Sequence, residues 1–114
     1  MTTWTPPTPA EVQAKIQEMV QRIVEGFHPE KIILFGSHAR GDAGPDSDVD
    51  LLVVMPFSGR KIDRIVEIRT ALNGMGIAKD VFLVTPEDFD ADKDLVGGLV
   101  YPAAHEGKVL YERP

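Results

Sequence analysis

A short apolar run, Ile32 to Phe35, is cut off by Gly36-Ser37, and ten residues later Asp48-Val49-Asp50 opens a second apolar run, Leu51 to Val54. A run of this length bounded by glycine reads as a buried strand that ends in a sharp turn. Side chains alternate along a strand, so Asp48 and Asp50 project from one face, about 6.6–6.8 Å apart, while Val49 points to the other. Like charges on one face repel, and a soluble domain gains no stability by placing them at the mouth of a buried strand. A divalent cation removes the conflict. Carboxylate oxygens suit magnesium, which takes one or two of them and completes its shell with substrate phosphates and water.

Gly36 lets the backbone come close to a ligand, and a helix beginning at Ser37 would turn free N–H groups and its dipole toward an anion. Arg40 follows Ser37 by about one helical turn, which puts its guanidinium on the side of the Ser37 hydroxyl for a forked contact with phosphate oxygens. Asp80 is the one acid in the apolar stretch Ala78 to Val84. Buried strands rarely carry an unpaired aspartate. It is therefore either an edge residue with a solvated carboxylate or the third member of the acidic set. Three converging acids would admit two metal ions, one at a triphosphate and one lowering the pKa of an attacking hydroxyl.

The stretch Gly36 to Asp50, with Gly36, Ser37, Arg40, Gly41 and Asp48-Val49-Asp50, resembles the signature of the DNA polymerase beta-type nucleotidyltransferase superfamily. In its compactness it is similar to the minimal nucleotidyltransferase (MNT) family. The resemblance implies an α/β (α+β) fold, a small mixed sheet with helices packed mainly on one face. It also implies nucleotide binding by Gly36, Ser37 and Arg40, and catalysis and metal binding by Asp48, Asp50 and Asp80. The expected reaction is magnesium-dependent transfer of AMP from ATP to a hydroxyl. Families of this size commonly pair with HEPN-domain ribonuclease toxins, which they silence by adenylylating a tyrosine, so such a toxin is the expected partner. A non-catalytic antitoxin that binds its partner, and a small-molecule adenylyltransferase, are the competing readings.

With 114 residues and a net charge of −6, the chain is the size of one domain and lacks the basic surface that phosphate-backbone binding needs, so direct nucleic-acid binding is not expected. It contains no cysteine, which removes disulfides and thiolate metal sites. No apolar stretch approaches ~18 residues, and the N-terminus does not read as a signal peptide, so a cytoplasmic protein is expected. Residues 1–7 read as a flexible lead containing Trp4, and residues 8–114 as the nucleotidyltransferase domain. Thr8-Pro9-Ala10-Glu11 signals a helix start, followed by an apolar stripe from Val12 to Phe27. A second helical pattern runs through Ile62, Ile65, Val66, Ile68 and Leu72. His38, inside the signature, reads as an exposed loop histidine, with contact to a nucleotide as the alternative.

Overall fold

The computed structural model describes Thr5, residues 7–44 and residues 46–114. Most of the expected N-terminal lead, including Trp4, lies outside the described residues.

Helix α1 (Pro9–Phe27) starts where the sequence signals it, with the Thr8 hydroxyl accepting the Glu11 N–H at 3.2 Å and Pro9 in the first turn. Strand β1 (Lys31–Phe35) leads into the single-turn helix α2 (Ser37–Arg40), then β2 (Val49–Val54), α3 (Lys61–Ala71) and β3 (Lys79–Val84). Two short helices, α4 (Pro86–Asp92) and α5 (Val100–Glu106), precede the last strand, β4 (Lys108–Glu112).

The four strands form one sheet in the order β3-β2-β1-β4. Strand β1 is antiparallel to both β2 and β4, whereas β2 and β3 run parallel, joined by the α3 crossover. The sheet is mixed, as the family resemblance implies. Its topology also decides where the site lies: β1 ends, and β2 and β3 begin, at the same edge of the sheet.

Period-two alternation sends the strand residues to two separate cores. Ile32, Leu34, Val49, Leu51, Val53, Val81 and Leu83 pack against Ile16, Met19 and Ile23 of α1 and Ile68 of α3. On the other face Ile33, Phe35, Leu52, Val54 and Val84 meet Phe89 of α4 and Val100 and Ala103 of α5. The two long helices thus share one face, and the opposite face is roofed by two seven-residue helices. Fully burying a side chain such as Ile23 or Leu51 stabilises the fold by about 1.5–3 kcal/mol.

The α3 stripe is narrower than its apolar sequence. Ile68 and Leu72 are fully buried, whereas Ile62 and Val66 are 52% and 54% exposed. Ile65, Ile68 and Leu72 recur at spacings of three and four and share one stripe; Ile62 and Val66 lie on its flank, beyond the sheet.

Candidate active site

Asp50 is the second residue of β2, and in the parallel register with β3 it stands beside Asp80. Both have the same parity as Leu52 and Phe82, so they belong to the α4/α5 face, at the end of the sheet from which the strands enter. Strand β3 is at the sheet edge, and Asp80 is half-buried there, in register with Asp50. Asp48 precedes the first residue of β2 and is exposed.

The Asp50 carboxylate feels the other two. Burial raises the Asp50 pKa above its ordinary value, the negative charges of Asp80 and then Asp48 add to the rise, and His38 and Arg40 oppose it. Among the described residues no group of three or more His, Cys, Asp or Glu side chains is arranged to hold a metal ion by itself. Asp48, Asp50 and Asp80 form an open set. Such a set fits a hard divalent cation that keeps positions for phosphate oxygens and water, and mutual repulsion at Asp50 is what a cation would relieve.

Phe35 pairs with Asp50 across the antiparallel ladder, which brings the following residue, Gly36, against the Asp50 side chain. Gly36 has φ 76° and ψ −155°, a conformation open essentially to glycine alone. A Cβ at this position would collide with Oδ2 of Asp50. Glycine is therefore required twice, by its backbone and by the carboxylate beside it.

Helix α2 begins at Ser37 as expected but lasts only four residues. The N–H groups of Ala39 and Arg40 both donate to the Gly36 carbonyl, at 3.1 Å each. This corrects the expectation of a helix dipole at the turn, because a dipole builds up from many aligned peptides and one turn supplies few. The amides of Ser37 and His38, at the open end, are the ones left to meet an anion. Arg40 is exposed, and its Nε donates to Oδ2 of Asp42 at 3.3 Å. That solvated pair holds the guanidinium weakly and leaves it available for phosphate.

His38 departs from its sequence reading. It lies in α2 and not in a loop, is half-buried, and its Nε2 is 3.1 Å from the Ser47 carbonyl oxygen. Only its place inside the Gly36–Asp50 signature hinted at this; the partner is a backbone atom nine residues away, invisible to side-chain patterns. Behind His38, on the α1 side, is a cavity of about 600 Å³ lined by Val12, Ile16, Leu34, Ile77 and Leu110 among others. None of the three aspartates lines it.

A glycine turn and neighbouring carboxylates thus meet at the end of a mixed sheet where β1 ends and β2 and β3 begin. The sequence model of the nucleotidyltransferase domain matches residues 14–100, and the chain belongs to that family. Two Methanocaldococcus jannaschii proteins, each named as a proposed protein adenylyltransferase, are similar to it. One is 33% identical over 86% of this chain and 70% of its own, the other 34% identical over 72% and 78%. Two crystal structures share the fold at 21% identity. A Sulfolobus solfataricus protein named as a proposed nucleotidyltransferase has a TM-score of 0.59, covering 96% of this chain and 94% of that one. A toxin–antitoxin structure with AMP-PNP has a TM-score of 0.52, covering 85% and 73%. The chain is thus a nucleotidyltransferase, and its substrate is a nucleotide. Among the described residues no helix is long and apolar enough to cross a membrane.

Proposed function

We propose that this chain transfers AMP from ATP to a hydroxyl of a partner protein, with a tyrosine of a HEPN-type ribonuclease toxin as the acceptor. The observation that carries the chemistry is the juxtaposition of Asp50 and Asp80 in register, with Gly36 packed against the Asp50 carboxylate. Support for a protein acceptor comes from the names of the two archaeal relatives, and support for a toxin partner from the toxin–antitoxin structure that shares the fold.

The Gly36 turn presents the Ser37 hydroxyl and the Ser37 and His38 amides to the β- and γ-phosphates, and Arg40 adds a charge-assisted contact. Asp48 and Asp50 supply the anionic oxygens that hold magnesium on the triphosphate. When bound there, two magnesium ions would supply charge neutralisation for the phosphates and a lowered pKa for the attacking hydroxyl. Asp80, half-buried beside Asp50 on the edge strand, orients the acceptor hydroxyl and accepts its proton. The acceptor oxygen bonds to the α-phosphorus, the bond from that phosphorus to the bridging oxygen of the β-phosphate breaks, and pyrophosphate leaves. Positioning and charge neutralisation supply most of the acceleration.

The test is mass spectrometry of a purified HEPN-type partner encoded beside this chain, after incubation with the protein, ATP and magnesium. The expected result is the added mass of one or more AMP units on a hydroxyl side chain. A partner that is bound and inhibited yet unmodified would establish the non-catalytic reading instead.

A further inference from the structure

Asp48 is exposed and stands outside the regular strand, so neither burial nor the ladder aims its carboxylate. What constrains the direction of its Cα–Cβ bond is the backbone on either side. The peptide before Asp48 ends in the Ser47 carbonyl, which lies 3.1 Å from His38 Nε2. The peptide after it carries the Val49 N–H, which donates to the Ala78 carbonyl at 2.9 Å. Two tethered peptide planes leave the Cα between them little freedom in φ and ψ. Ser47 is itself held in a tight turn, its N–H donating to the Gly44 carbonyl at 3.2 Å and its hydroxyl accepting the Gly44 N–H at 2.9 Å.

We propose that His38 is a positioning residue: by donating from Nε2 to the Ser47 carbonyl it ties the phosphate turn to the start of β2 and sets the direction in which the Asp48 side chain leaves the backbone. A carbonyl oxygen only accepts, so Nε2 carries the hydrogen in this contact. The ring sits in α2, whose first residues form the phosphate turn, so this hydrogen bond links that turn to the residue directly before Asp48, beyond the reach of the Phe35–Asp50 ladder pair. Groups that orient metal ligands typically change metal affinity by about 10–100-fold when removed. This inference rests on Asp48 being a metal ligand, as proposed above.

The experiment measures Mn2+ binding by electron paramagnetic resonance, with the non-hydrolysable analogue AMP-PNP present. It uses wild type, His38→Leu, His38→Gln, Asp48→Asn and the double variant His38→Leu/Asp48→Asn. Glutamine places an amide N–H close to the position of Nε2 and keeps the tether, whereas leucine fills similar space without a donor. His38→Leu is expected to weaken Mn2+ binding about ten-fold or more. His38→Gln should stay within about three-fold of wild type, and the double variant should bind no worse than Asp48→Asn alone, because His38 acts through Asp48. Equal losses in His38→Leu and His38→Gln, or losses that add in the double variant, overturn the positioning role. Normal binding by His38→Leu beside weakened binding by Asp48→Asn overturns it while leaving the metal site intact. Normal binding by Asp48→Asn overturns the metal site and, with it, this inference. Should the leucine variant fail to fold, His38→Asn, whose amide is too short to reach the carbonyl, takes its place against His38→Gln.

Discussion

The Asp50 carboxylate occupies the space into which a side chain at Gly36 would have to project. The Gly36 turn and the strand that carries Asp50 are therefore one packed unit, joined through the Phe35–Asp50 ladder pair.

Gly36→Ala is expected to damage both stability and transfer. The backbone conformation alone costs about 1–3 kcal/mol for a residue with a Cβ, and the collision with Asp50 adds to it. Thermal unfolding should show a fall of roughly 5 °C or more. A variant with unchanged melting temperature and turnover would show that the turn tolerates a side chain.

Asp50→Asn should abolish transfer while leaving the metal-free protein at least as stable as wild type at neutral pH. The folded-state pKa of Asp50 is raised, chiefly by burial and then by Asp80 and Asp48. A raised carboxylate pKa means that the folded chain holds the proton more tightly than the unfolded one. The resulting stabilisation is complete below the unfolded value near ~3.9 and is lost as pH rises through the folded pKa. Melting curves in chelator across acidic to neutral pH check this. Wild type should lose stability over that window relative to Asp50→Asn, and added magnesium-ATP should restore wild type alone.

Arg40→Ala should leave the fold nearly untouched, because its partner Asp42 is exposed and such pairs contribute about 0–1 kcal/mol. Its effect belongs to the ligand. Losing a hydrogen bond from a charged group costs about 1.5–3 kcal/mol, or roughly 10–100-fold in magnesium-ATP affinity, and Ser37→Ala should cost less. Isothermal calorimetry decides, and unchanged affinity in both variants would make the turn purely structural.

Much of this architecture is legible in the chain. The strand ends, the Thr8 and Thr85 helix caps and the parity of Asp48, Asp50 and Asp80 follow from local rules, since caps and alternation involve only neighbouring residues. The short helices α4 and α5 carry little periodic signal, yet their ends are legible: Thr85-Pro86-Glu87 starts the first, Pro102 is tolerated in the first turn of the second and Gly107 ends it. The tether from His38 to Ser47 and the contact of Gly36 with Asp50 were not readable at all. Both depend on how β1 and β2 pair in space, and one of them ends on a backbone oxygen common to every residue.

The reading of the three acids as catalytic machinery is tested most directly by Asp80→Asn, assayed for magnesium-ATP binding by calorimetry and for AMP transfer to the partner protein by mass spectrometry. Asp80 stands beside Asp50 but on the edge strand, where an acceptor can approach. The expected outcome is near-normal nucleotide binding through Ser37, Arg40, Asp48 and Asp50 with no detectable AMP on the partner. Transfer at the wild-type rate by Asp80→Asn would contradict it.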